Sequence, residues 1–195
     1  MTTVAEVSAF LAARGAADLE HPGGTLLAHL RRTHDVLTSW GARSALALAG
    51  LAHAAYGTDG FDRGLVDVAD RETLAAVVGA EAEETIYRYG SCERAAVYRQ
   101  LSAGAPEIVF TDRFTGTSAP APTSAVRDFV ELTIANELDV LAHNDELRDR
   151  HGAALHRLFT ACTPYATPAA SAAAAVLAPA DVASMSSRRP EGLHK

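Results

Sequence analysis

A chain of 195 residues with 48% hydrophobic side chains can bury one sizeable core, roughly 160 residues once a sparse C-terminal stretch is set aside, which is the size of a single domain. Its 17 Lys and Arg against 24 Asp and Glu leave a net charge of -7, so it offers no electrostatic footprint for a phosphate backbone, and nucleic acid is excluded as an expected partner. Two cysteines, Cys92 and Cys162, suggest neither a disulfide framework nor a thiolate metal site, and no apolar run approaches the roughly eighteen residues that span a bilayer; the expectation is a soluble, unprocessed protein of the cytoplasm with no membrane partner.

Apolar residues recur at helical spacing almost throughout, and alternating β-branched runs are missing, so the expected class is all-α. Thr3 with Glu6 forms a capping box for a first helix over Val4 to Arg14, closed by Gly15. After the turn His21-Pro22-Gly23-Gly24, Thr25 caps a second helix that runs to Trp40, with His29 on its Leu26, Leu30, Thr33 and Leu37 side. Ser44 opens a third, Ala- and Leu-rich helix that ends at Tyr56-Gly57 and carries His53 in its last turn. A Gly- and Asp-rich loop, residues 57–64, leads to a short helix from Asp70 to Val78 that Gly79 ends. Glu81 to Leu101 forms one or two helices interrupted near Gly90-Ser91, and Pro106 to Pro122 is irregular and placed to cover a pocket mouth. Ser124 begins a long helix to His143, and a last one covers Asp145 to Cys162 with a break near Gly152. Beyond Pro164 the composition falls to Ala, Ser and Pro, which cannot offset the entropy of ordering. The chain thus divides into a helical domain of about seven helices, 1–163, and a disordered tail, 164–195.

Three histidines, His21, His29 and His53, fall in a stretch that otherwise has the pattern of buried helix. A buried imidazole must be satisfied by a hydrogen bond, a metal or a substrate. On the long later helix Asn136, Asp139 and His143 share one stripe between Leu132 on one side and Phe129 with Val140 on the other. His29 and His53 lie on consecutive helices joined by a short turn, so they face each other, an arrangement that holds a divalent transition metal when an acid or amide from a third helix completes the shell. Tyr56 and Thr58 sit just past His53 and could donate to a substrate oxygen. Arg94 and Arg113 are candidates to clamp a carboxylate or phosphate, each with an ion pair as the plainer alternative. His34, followed by Asp35, lies beside Arg31 and Arg32 on what should be a solvated face.

A His on one helix, a second His ending the next within ALALAGLAHAAYG, and an acid or amide within IANELDVL together resemble the HD-domain superfamily. Over Ala17 to Phe61, TDRFTG and ANELDVLAHN the chain more closely resembles an uncharacterised bacterial group, domain of unknown function 6817. The HD resemblance implies a compact all-α fold with one or two bound metals; members are largely phosphohydrolases, with a minority of di-iron oxygenases. That family places Asp directly after the second His, whereas Ala54 follows His53 here, and its late Asp is replaced by Asn136 or moved to Asp139. A site lacking that carboxylate suits one metal rather than two.

The expected metal ligands are therefore His21, His29, His53, Asn136 and Asp139, holding Fe, Mn or Zn, and the expected catalytic groups are His29, His53, Tyr56, Asp139 and Arg113. The expected function is a small-molecule enzyme, a metal-dependent hydrolase or oxygenase acting on an anionic substrate. Two alternatives stand beside it: a metal-free acid/base lyase, isomerase or cyclase using the same histidines, and a ligand-binding protein without turnover.

Overall fold

The computed structural model describes residues 2–178, and among these there are nine α-helices and two small hairpins. Helix α1, Val4–Ala12, starts at the expected capping box: the Thr3 side chain accepts from the Glu6 N–H while the Glu6 carboxylate accepts from the Thr3 N–H. Strands β1, Glu20–His21, and β2, Gly24–Thr25, make a hairpin around Pro22 and Gly23. Gly23 has φ +80, and a Cβ there would lie 2.6 Å from the His143 ring, so the turn requires glycine both for its backbone and for its close approach to the late helix.

Thr25 then caps α2, Leu26–Ser39, by accepting from the Ala28 N–H, and α3, Ser44–Ala52, packs back against it. After a short 3₁₀ turn over Val68–Asp70, capped by Asp67, come α4, Arg71–Val78, α5, Ala80–Ser91, and α6, Arg94–Ser102. The interruption between α5 and α6 falls at Cys92 and Glu93, two residues later than the Gly90-Ser91 expectation. Strands β3, Val109–Thr111, and β4, Ser118–Pro120, pair antiparallel inside the segment expected to be irregular. Helix α7, Thr123–Ala142, and α8, Asp145–Ala161, complete the main body, and α8 runs through Gly152 without the expected break.

The boundary drawn at residue 164 requires correction. Thr167 caps a further helix, α9, Pro168–Ala174, with Pro at its first turn, and Ala170 and Ala174 are buried against α7 and α8. The Thr167 N–H also donates to Glu131 Oε1 at 2.8 Å. Large apolar side chains are not needed here: alanine is the best helix former, and its small side chain lets one helix approach another closely. Residues 179–195 of the expected tail lie outside the described residues.

The apolar residues form two clusters. One gathers Val7, Leu11, Leu30, Leu51, Leu74 and Ile86 from α1 to α5, the other Leu37, Tyr89, Val97, Phe129, Ile134 and Phe159 from α2 and α5 to α9. Each fully buried Leu or Ile contributes about 2 kcal/mol through surface removed from water. Helices α2, α3 and α5 serve both clusters, and α7 crosses α2 and α3. That crossing brings the polar residues of α2, α3 and α7 together inside an otherwise apolar body. No helix of the described residues is long and apolar enough to cross a membrane.

Candidate functional site

His29 is fully buried on α2 and meets His53, at the C-terminal cap of α3, and Asn136 and Asp139 on α7. Each ring has one nitrogen committed to a fixed partner. His53 Nδ1 lies 2.9 Å from the Gly50 carbonyl oxygen, and His29 Nδ1 lies 2.6 Å from Asp139 Oδ2. Both partners only accept, so both Nδ1 atoms carry a proton, and the neutral His53 ring turns the lone pair of its Nε2 toward His29. Those Nε2 atoms are 3.3 Å apart, and Asn136 Oδ1 stands 3.1 Å from His29 Nε2. The Asn136 amide is oriented by its Nδ2, which donates to Glu137 Oε1 at 3.1 Å, so its oxygen faces the histidines. His29 Nε2 is thus approached at once by an imidazole nitrogen and an amide oxygen.

His21, at the end of β1, stacks on His29 with ring centroids 4.0 Å apart, and its buried Nδ1 has no hydrogen-bond partner. Burial, together with the neighbouring His29, lowers its pKa to about 4, and the same two causes hold His53 well below the usual imidazole value. Both rings are neutral at pH 7. His53 is also held edge-on against Tyr89, 5.4 Å between centroids.

Asp139, expected as a ligand or base, is placed behind His29 instead. Its Oδ2 accepts from His29 Nδ1, and Arg32 donates to it in a fork, Nε to Oδ1 at 2.6 Å and Nη2 to Oδ2 at 2.9 Å. Burial would raise this carboxyl, but the hydrogen bonds from His29 and Arg32 outweigh burial and hold it at about 2. Arg32 is anchored in turn by the carbonyls of Gly23 and Pro22. A carboxylate with both oxygens so occupied fixes the His29 tautomer and ring plane rather than reaching His29 Nε2. His143, at the end of α7, donates from Nδ1 to the Asp139 backbone carbonyl.

A cavity of about 160 Å³ opens onto this cluster, walled by His21, His53, Asn136, Glu137, Arg94 and the loop from Thr58 to Phe61. Arg94 is the cation of this wall. Its side chain is 13% exposed, lies 3.7 Å from Glu137 Oε1 and stacks over the Tyr89 ring. Glu137 and Asp59 were not anticipated. Glu137 had a signal, being a charged residue inside a helix buried on most of its faces; Asp59, which accepts from the Arg94 backbone N–H, sits in a loop with no local pattern to mark it.

Two expected residues are not brought to the site. The Tyr56 hydroxyl donates to Glu83 Oε1 at 2.7 Å in a buried network, where Arg71 also donates to both Glu83 oxygens. Arg113 donates from Nε to the Gly90 carbonyl, 3.6 Å separates its Nη1 from Asp62, and it lies over Phe114. Neither lines the histidine cavity. Tyr56→Phe should cost about 1 kcal/mol of stability, the worth of one hydrogen bond, and leave ligand or metal binding at the histidines unchanged. Chemical denaturation paired with a binding measurement checks this, and a binding defect in the folded variant would return Tyr56 to the site. His34 pairs through Nδ1 with the exposed Asp35 and stays away from the site, but its own side chain is only 13% exposed, so it does not lie on the expected solvated face.

The fold and site together define an all-α domain enclosing a small polar pocket walled by neutral histidines, an amide and an arginine. Residues 10–94 match the model of a family described as a domain of unknown function, DUF6817. This match takes in His21, His29, His53 and Arg94 and stops before the α7 residues. No curated protein and no solved structure matches the chain.

Proposed function

We propose that the protein is a small-molecule enzyme whose reacting centre is a mononuclear divalent transition-metal site formed by His29, His53 and Asn136, with His21 beside them. The observation that carries this reading is the close approach of His53 Nε2, at 3.3 Å, and Asn136 Oδ1, at 3.1 Å, to His29 Nε2. Acceptors this close repel one another unless a proton or a metal cation lies between them. Adjacent ligands in a shell of roughly 2.1 Å radius stand roughly 3.0 to 3.4 Å apart, so the spacing suits a metal held by both imidazoles and the amide oxygen. The partners behind each ring, a carboxylate for His29 and a backbone carbonyl for His53, are those that metal-binding histidines usually have. Imidazole donors without a directly bound carboxylate favour Fe or Zn over Mg or Ca.

Bound there, the metal would supply either an activated water for hydrolysis of an ester or phosphoester, or a centre for oxygen chemistry. The residues of this chain have separate tasks. Asp139 and Arg32 hold the His29 ring in one tautomer, Gly50 does the same for His53, and Arg94 presents a guanidinium to a substrate oxyanion. The order of these residues along the chain also supports kinship with the HD-domain superfamily, with Ala54 in place of the acid that follows the second histidine there.

One observation favours a second reading. Among the described residues no three His, Cys, Asp or Glu side chains are grouped so as to hold a metal, the third donor here being an amide. A single proton on His29 Nε2 would satisfy the same acceptors, leaving a His29–Asp139 pair with neutral His53 as an acid/base device for a lyase or isomerase. Elemental analysis of full-length protein purified without a chelating tag separates the two. The expected result is near-stoichiometric Fe, Mn or Zn that is lost from folded His29→Ala and His53→Ala. Absence of metal after reconstitution with each ion would discard the metal reading in favour of the acid/base one.

A further inference from the structure

The histidine cavity does not end at its own walls. A cleft of about 960 Å³ between α6, α7 and α8 shares Gly60, Glu137 and Val140 with it. Its sides are mainly apolar, built from Val140, Leu147, Ala154, Leu155 and Leu158, with Tyr98 at the base. That volume is at the upper end of the range for small-molecule sites, far more than a small polar substrate needs.

Polar groups without partners cluster where the two spaces join. The Arg94 side chain makes no hydrogen bond to any described residue, its Nε is buried with no partner, and Glu137 at 3.7 Å is too distant to be one. The Tyr98 hydroxyl is buried and equally unpartnered. A guanidinium 87% withdrawn from solvent, with five donors and no acceptor, is costly unless an acceptor arrives with the ligand. Glu137 is occupied from its other side by the Asn136 amide.

We propose that the ligand of the histidine site is a carboxylic acid with an extended apolar body, its carboxylate taken by Arg94 and its body laid along the α6–α7–α8 cleft. This rests on the histidine pocket being the reacting centre. A planar carboxylate matches the guanidinium fork in charge and in geometry, and an apolar body matches the cleft that leads away from it. Tyr98 stands at the base of the cleft as a second donor. A compact polyanion such as a free sugar phosphate would satisfy Arg94 but leave the cleft unfilled.

Calorimetric titration of the full-length protein with acetate, octanoate and decanoate, with 1-octanol as the uncharged control, tests this. Each added methylene should tighten binding about three- to fourfold. Arg94→Gln should weaken the carboxylates at least about tenfold and remove their advantage over the alcohol. Ala154→Trp, a substitution at an exposed cleft position that does not enter the core, should weaken decanoate and leave acetate unchanged. Chain-length independence, or carboxylate binding indifferent to Arg94→Gln, would overturn the proposal. Metal content measured on the same samples separates the two ideas: metal present with no decanoate binding defeats the amphiphile alone. Decanoate binding with these dependences in metal-free protein supports the cleft while defeating the metal reading.

Discussion

Asp139→Asn is expected to lower stability by about 3 kcal/mol and metal affinity at the histidines by roughly 10- to 100-fold. The carboxylate side chain is only 5% exposed and neutralises Arg32 through two short hydrogen bonds while holding His29 Nδ1. An amide of the same shape leaves the Arg32 charge with two backbone carbonyls as its remaining partners. It can also turn its NH₂ group toward His29, which moves the ring proton to Nε2 and blocks the lone pair. Arg32→Met combined with Asp139→Asn should recover part of the stability loss but none of the metal affinity, because the charge stranded by the first change is gone and the ring remains unsupported. Urea denaturation and metal competition on the single and double variants measure both quantities. Equal recovery of both would mean that Asp139 acts on His29 only through general stability. The depressed carboxyl also sets a pH window. Its folded pKa, about 2, lies below the ordinary 3.8, so its contribution is complete above about pH 4 and is lost as the pH falls through that interval.

Glu83→Ala should be the most damaging change outside the histidine cluster, again about 3 kcal/mol. Glu83 is buried on α5, accepts from Tyr56 at 2.7 Å and takes the Arg71 guanidinium in a fork, 2.7 Å at each oxygen. Removing it strands the Tyr56 hydroxyl in the core and leaves Arg71, which ties the 3₁₀ turn and α4 to α5, with Glu84 at 3.0 Å as its remaining acid. Arg71 is about a third exposed and recovers some hydration, which keeps the loss at the low end for a broken buried pair. Glu83→Gln retains an acceptor for Tyr56 and should cost about half as much. Denaturation midpoints of the two variants would refute this account if they fell together near wild type.

The helical class was legible because apolar spacing, Thr3, Thr25 and Ser44 all point to the same elements. The meeting of His29, His53, Asn136 and Asp139 was legible for a related reason: buried polar groups on apolar helix faces have few ways to be satisfied. The role of Asp139 was not, since it depends on Arg32, one turn after His29, reaching across to α7. Sequence spacing puts Arg32 beside His29 but does not say which acid it will claim. Tyr56 followed the same pattern, its proximity to His53 in sequence being outweighed by Glu83, 27 residues away. Helix α9 was hidden because alanine burial leaves no hydrophobic periodicity of the usual size.

His29 finds its two α7 partners across 107 and 110 residues of chain. Loop closure over such a span carries an entropic cost before any contact repays it, so in the order of folding these contacts belong with the late ones. A fragment ending near residue 94 would carry both imidazoles and Arg94, yet lack the amide that meets His29 Nε2 and the carboxylate that fixes the same ring. During synthesis the chain would therefore reach its docking of α2 against α3 well before the α7 residues could complete the histidine cluster. Competence at the site would then report that the C-terminal helices have arrived and packed.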